Sequence, residues 1–130
     1  MVVEIVGGIK NMDRLEFLRN ALKLQSELQD KIGARLDILT YEEKEKWSKE
    51  NVLAMQAEII EFISWMNWKH WKKTKVDYDK ERIREIRLEI IDIFHFWMNL
   101  CIIWGMDAEM IEDYYITKQK INMKRQEDGY

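Results

Sequence analysis

The amino-acid sequence predicts an all-α protein whose core is an antiparallel four-helix bundle. Three observations support this fold class. The 130 residues include no proline and five glycines, so few positions interrupt a helix. Apolar residues, 47% of the chain, recur at helical spacing. The connections between the periodic segments are short, and short connections make successive helices antiparallel neighbours.

The first two helices are predicted over residues 12–32 and 40–71. The first has one apolar face and ends before Gly33, since glycine readily adopts the left-handed conformation that terminates many helices. The second begins at Thr40, which has capping-box spacing to Glu43, and it contains a break near Ser48.

The third helix is predicted to start after Asp77 or Asp79 and to end at Trp104, just before Gly105. The fourth is predicted over residues 107–126, with an aspartate as its N-cap. No linker or repeat divides the chain, so we expect a single domain over residues 1–130.

Composition and charge exclude several classes of function. The net charge of −3 argues against binding to nucleic acid. Residues 88–104 are largely apolar, but their acids make a membrane span unfavourable. Residues 1–8 are too short and lack the basic lead-in of a secretory signal, and the role of residues 1–10 stays open. The single cysteine, Cys101, lies among apolar residues, which predicts core packing in a reducing, cytoplasmic compartment.

Two pairs of acids interrupt apolar helical segments. Glu58 and Glu61 are three residues apart, and so are Glu89 and Asp92, so each pair shares one helix face. Buried acids are unfavourable unless something compensates their charge. Carboxylate oxygens without cysteine ligands favour Mg²⁺, with Mn²⁺ as a substitute. Two or more ions would suit displacement at phosphorus, because paired metals stabilise both the attacking and the leaving oxygen.

Two other interpretations of the acids stay open. Lysines from another helix or from a dimer partner would neutralise them without any metal. A ferritin-like di-iron site uses Glu-x-x-His pairs. Asp92 and His95 have that spacing, but His70, the other histidine, has no matching acid.

The fourth helix carries a polar stripe of the residue types that bind phosphate. Ammonium, amide and guanidinium groups are donors to phosphate oxygens. At 100° per residue the members fall within an arc of about 80°. They are Tyr115, Lys118, Asn122 and Arg125.

Gln25 interrupts the apolar face of the first helix. An inward-facing glutamine needs hydrogen-bond partners. The sequence leaves two possibilities open, a bond to a neighbouring helix or a paired contact with the edge of a base such as uracil.

These motifs resemble a known family. Glu58-x-x-Glu61 followed by Glu89-x-x-Asp92 is similar to the all-α nucleoside triphosphate pyrophosphohydrolases, the superfamily that includes MazG. Further runs resemble its dimeric all-α dUTPase branch, which also contains phage dCTPase–dUTPases. They are residues 68–72 (Trp-Lys-His-Trp-Lys), residues 92–96 (Asp-Ile-Phe-His-Phe) and Tyr115-x-x-Lys118-x-x-x-Asn122-x-x-Arg125-Gln126-x-x-Gly129-Tyr130.

The resemblance implies hydrolysis of dUTP to dUMP and pyrophosphate. It implies that the four acids hold Mg²⁺, that a metal-bound water attacks the α-phosphate, and that Glu61 orients or deprotonates that water. It also implies contacts of other residues with the substrate. Those for base and sugar are Gln25, Trp71, His95, Phe96 and Asn99, with Phe96 on the deoxyribose and His95 near the 3′-hydroxyl. Lys72, in a basic loop that could touch phosphate, is a further substrate contact. Those for the β- and γ-phosphates are Lys118, Asn122, Arg125 and Tyr130.

The sequence departs from the family pattern where base contacts are expected. The chain given stops at Tyr130, where relatives often continue, and Gln29 stands where many relatives have asparagine. The base preference therefore stays open between dUTP, dCTP and a broader set of nucleotides. A non-catalytic helical interaction module is the alternative from another class. The many tryptophans and the bulky third helix predict a homodimer that completes the bundle.

Overall fold

The computed structural model describes residues 14–130, and within them the chain forms four α-helices and no strand. The helices are α1 (Glu16–Ile32), α2 (Tyr41–Ser64), α3 (Lys80–Ile103) and α4 (Ala108–Glu127). The predicted all-helical bundle is confirmed. The predictions for residues 1–10, and the predicted start of the first helix at Met12, lie outside the described residues.

Local sequence signals set most helix ends. The Thr40 hydroxyl accepts a hydrogen bond from the Glu43 amide at 3.2 Å, and the Glu43 carboxylate bonds back to the Thr40 amide, which confirms the capping box. Asp79 and Asp107 cap α3 and α4 through their side chains. Gly33 ends α1 with a φ of 96°, a left-handed conformation that glycine adopts without steric cost.

The second helix differs from its prediction. It runs without a break at Ser48 and ends at Ser64, seven residues before Trp71. Beyond it, the Asn67 side chain accepts from the Val76 amide at 2.8 Å and donates to the Val76 carbonyl at 3.3 Å. An asparagine that satisfies loop backbone in this way competes with helix continuation. Residues 65–79 therefore form a loop that contains Trp71.

The packing of α2 against α3 is the most extensive helix contact of the described residues. Asn51 bonds to Asn99, while Trp65, further along α2, bonds to Glu89, earlier in α3. The two helices are therefore antiparallel, as predicted, although the connection between them, residues 65–79, is longer than the sequence indicated. α1 lies against α3, with Leu22 packed in a cluster that includes Met98 and Cys101.

α4 is attached mainly through its first turns. Ala108 is buried with Cys101, and ion pairs join Arg14 to Glu112 and Arg19 to Glu109. From residue 113 to residue 130 every side chain is exposed. No helix of the described range is both long and apolar enough to cross a membrane.

Candidate metal and nucleotide site

The two acidic pairs meet across the α2–α3 interface. Carboxylate oxygens of Glu58, Glu61 and Glu89 all lie within 4.8 Å of one another. Asp92 lies one turn beyond Glu89 on α3, close enough for its charge to raise the pKa of Glu58. The i, i+3 spacing thus directs each pair to one face, and the antiparallel packing brings the two faces together.

The cluster is electrostatically unfavourable by itself. Burial raises the pKa of Glu58 above its ordinary value, and the neighbouring charges of Glu61, Asp92 and Glu89 raise it further. One oxygen of Glu58 and one of Glu89, both Oε2, are buried without a hydrogen-bond partner. Oriented carboxylate oxygens without protein partners are the donors that a hard divalent cation requires. The residues present therefore fit a magnesium ion.

The alternatives to a magnesium site receive less support from these contacts. Within residues 14–130, no lysine or arginine forms an ion pair with any of the four acids, so this part of the chain does not neutralise them. The converging group consists of three glutamates without a histidine, unlike a di-iron site. His95 is exposed on α3.

Trp65 borders the cluster at the end of α2. Its indole Nε1 donates to Glu89 Oε1 over a long 3.4 Å. The Arg82 guanidinium lies 5.3 Å from the Trp65 ring centroid and donates to the Trp65 carbonyl at 2.9 Å. Arg82 therefore holds in place the tryptophan that donates to Glu89.

The predicted base-contact residues lie two helical turns from the acids. Gln25 and Asn99 are buried and joined by a hydrogen bond of 2.9 Å from Gln25 Nε2 to Asn99 Oδ1. Asn99 follows Asp92 by seven residues, so roughly 10 Å of helix separates them on one face. Phe96 lies half-buried between them. The structure thus gives Gln25 a helix partner, the first of the two possibilities left open by the sequence.

Asn51 completes this polar set and was missed by the sequence analysis. It accepts from Asn99 Nδ2 at 2.9 Å and donates to the Trp47 carbonyl at 2.8 Å. Spacing held only part of the signal: Asn51 precedes Glu58 by seven residues and so shares the face of the acids.

The other predicted substrate contacts are not assembled around the acids. Trp71 and Lys72 lie exposed in the 65–79 loop, where Trp71 packs edge-on against Trp68. The stripe of Tyr115, Lys118, Asn122 and Arg125 is exposed along α4. No hydrogen bond or ion pair of the described residues joins that stripe to the acids. Tyr130 instead lies under the Arg125 guanidinium, 5.3 Å from ring centroid to Cζ.

Comparison with known proteins agrees with this geometry. Residues 17–104 match the dUTPase family, which is more than half of the chain. The dCTP pyrophosphatase of Enterobacteria phage T4 is 48% identical over 46 residues, 35% of this chain and 27% of the relative. The dCTP pyrophosphatase of Enterobacteria phage LZ5 is 46% identical over 54 residues, 42% of this chain and 31% of the relative.

The chain therefore spans less than a third of the length of these curated relatives. No solved structure matches it significantly. The family match nevertheless contains both acidic pairs and all three residues of the amide network. With four helices and converging carboxylates in the expected places, this chain belongs to the all-α dUTPase family.

Proposed function

We propose that this protein is a magnesium-dependent pyrophosphohydrolase that converts dUTP to dUMP and pyrophosphate in a reducing, cytoplasmic compartment. The observation that carries the proposal is the convergence of Glu58, Glu61 and Glu89 with two buried, unpartnered oxygens. Such a cluster favours a hard cation, and hard cations in proteins commonly bind substrate phosphates as well.

In this proposal each acid has a role. Glu58, Glu61, Glu89 and Asp92 hold Mg²⁺, which Mn²⁺ can replace. Bound magnesium neutralises charge on the phosphate oxygens and lowers the pKa of water. Glu61 is exposed, so it is accessible to the water that it orients and whose proton it accepts. The water oxygen bonds to the α-phosphorus while the bond to the bridging oxygen breaks, and pyrophosphate leaves.

The rest of the substrate extends along α3 toward Gln25. Phe96 contacts the deoxyribose, His95 lies near the 3′-hydroxyl, and Gln25 contacts the base. The separation of about two turns between Asp92 and Asn99 suits a nucleotide laid along the helix. Asn99 completes this part of the proposed site. Trp71 and Lys72 are proposed as further substrate contacts from the 65–79 loop, which follows the C-terminal end of α2.

The phosphate tail is assigned to the exposed stripe of α4. Lys118, Asn122, Arg125 and Tyr130 bind the β- and γ-phosphates in this proposal. Within the described residues, no aspartate or glutamate forms an ion pair with Lys118 or Arg125, so these cations are available to phosphate. A triphosphate held by magnesium at the acids would draw the stripe toward them.

Hydrolysis of dCTP is the second candidate, favoured because two relatives are named dCTP pyrophosphatases. A panel of deoxynucleoside triphosphates with Mg²⁺, assayed for pyrophosphate release, separates the two. Release from dUTP is expected. Release from dCTP alone would replace the uracil assignment. If no nucleotide is hydrolysed and none binds in the presence of Mg²⁺, a non-catalytic helical module would be favoured.

We also propose that the protein is a homodimer. Large apolar side chains on the outer faces of α2 and α3 are well exposed, among them Leu53 (65%) and Ile60 (68%) on α2, with Ile90 and Ile91 on α3. Exposed apolar surface of this extent is typical of an interface. Light scattering after size exclusion should give twice the mass of one chain, and a monomer would contradict the proposal.

A further inference from the structure

Three buried amides form a chain of hydrogen bonds across α1, α3 and α2. Gln25, Asn99 and Asn51 are each at most 7% exposed. Gln25 donates to Asn99, Asn99 donates to Asn51, and Asn51 donates to the Trp47 carbonyl, over 2.9, 2.9 and 2.8 Å. We call these three side chains the amide ladder. Buried amides that are bonded end to end have one preferred orientation each.

The direction of the ladder is set by its last member. A backbone carbonyl can only accept, so Asn51 must turn its NH₂ group toward Trp47. Its Oδ1 then faces Asn99, which must donate through Nδ2 and accept through Oδ1. Gln25 is therefore left to donate through Nε2. Its Oε1 receives no hydrogen bond from any residue between 14 and 130, and it remains available as an acceptor.

We infer that Asn51 is a positioning residue for base selection, because through Asn99 it fixes Gln25 with Oε1 presented as an acceptor. This inference rests on the proposed function. Uracil has a donor at N3–H and cytosine has one at its 4-amino group. One oriented Oε1 accepts from either base, so the ladder selects pyrimidines that carry an N–H at position 3 or 4.

Base selection and chemistry are separable at Asn51. It lies seven residues, roughly 10 Å, before Glu58 on α2, so it is out of reach of the acidic cluster. Among residues 14–130, its side chain bonds only to Asn99 and to its own helix. A change at Asn51 should therefore alter KM and substrate ratios while kcat changes little.

The test compares natural substrates with an analogue that lacks the donor. The 2-pyrimidinone deoxynucleoside triphosphate has no N–H at position 3 or 4 and is no larger than dUTP or dCTP. Wild-type kcat/KM for the better natural substrate should exceed that for the analogue by at least about tenfold, as for other sites that lose a hydrogen-bonded group. In Asn51→Leu the two kcat/KM values should differ by no more than about threefold, because KM for the natural substrate rises.

Asn51→Asp is the second variant, and it keeps the ladder direction. Its carboxyl, charged or protonated, still accepts from Asn99, so the substrate ratio should stay near the wild-type value. Ser48→Ala is the matched control, because it removes another α2–α3 side-chain bond, from Trp104 Nε1 to Ser48 Oγ at 2.9 Å, outside the ladder. It should also leave the ratio unchanged.

Retention of the full ratio in a folded Asn51→Leu protein would overturn the inference. Loss of the ratio in Asn51→Asp or Ser48→Ala would overturn it as well, because any weakening of the α2–α3 contact would then be enough to abolish the substrate preference. If wild type hydrolyses dUTP and the analogue equally well, Gln25 does not present an acceptor, and the inference fails while the proposed function survives. Failure of the proposed function itself is distinct, since wild type would then hydrolyse no natural nucleotide.

Discussion

The α2–α3 pair and the helix α4 contrast in how far the single chain assembles them. Between α2 and α3, acids and amides from distant parts of the sequence are already in contact. The α4 stripe projects into solvent, and only the first turns of the helix are packed. The family match follows the same division, since it ends at residue 104, before α4. The proposed cation and base positions are thus preformed, whereas the proposed phosphate contacts need the substrate to bring them in.

The largest expected effect is at the preformed site. Glu61→Gln should lower kcat for dUTP by about 10²- to 10⁴-fold, the usual contribution of a general base. Asp92→Asn should act in the same direction. Pyrophosphate release measures the loss, and circular dichroism should show unchanged helicity. Glu45→Gln, an exposed acid at the other end of α2, is the control and should behave as wild type. A collapse of helicity would indicate a structural role.

The reactivity of Cys101 tests whether the first turn of α4 stays packed against the bundle. This thiol is 3% exposed and packs with Ala108, the first residue of α4, and burial raises its pKa to about 11. Because the thiolate is the reactive form, labelling by a disulfide reagent near pH 8 should be about 100-fold slower than in guanidinium-unfolded protein. Equal rates would mean that α4 detaches at its first turn and that the contrast with α2–α3 extends to the whole helix.

The free part of α4 should affect substrate binding alone. Arg125→Ala should raise KM for dUTP by roughly tenfold, the loss expected for a charged hydrogen bond. Mg²⁺ binding measured by calorimetry without nucleotide should not change. Lys124→Ala is the matched control. This neighbouring cation is not part of the stripe, and its Nζ lies 3.6 Å from Asp128 Oδ2. Equal effects of both variants would argue for a general charge effect instead of specific phosphate contacts.

The smallest expected effect is on the stability of the metal-free acids. The pKa of Glu58 is raised in the folded state, so the native protein holds that proton more tightly than the unfolded chain. Its stabilising contribution is present below the ordinary value of 4.5 and is lost as pH rises through the raised pKa. Glu58→Gln should therefore raise the melting temperature in EDTA by a few degrees at neutral pH, with the difference vanishing in acid. Calorimetry at neutral and at acid pH measures the two melting temperatures. Equal melting temperatures at neutral pH would show that burial and charge repulsion at Glu58 do not destabilise the metal-free protein.

Local signals in the sequence predicted much of the fold. The capping box at Thr40, the aspartate cap of α4 and the glycine after α1 lie where they were expected, because caps depend on neighbouring residues. The end of α2 was predicted wrongly. The hydrogen bond between Asn67 and Val76 that stabilises the loop joins residues nine apart, and helix propensities, which describe single residues and their near neighbours, do not include such a bond.

The candidate site divides in the same way. Spacing along each helix was enough to select the two acidic pairs and the α4 stripe. Asn51 could not be assigned from spacing alone, because its importance depends on Asn99 and Gln25, which reach it from two other helices.

The sequence by itself determined the helices, their caps and the residue types on each face, since these follow from contacts within a few residues. Only the tertiary structure decided which faces meet. It brought Glu58 and Glu61 against Glu89, gave Gln25 a buried amide partner, and left the α4 stripe in solvent. The physical reason is that the pattern along one helix fixes the direction of a side chain, whereas its partner depends on how separate helices pack.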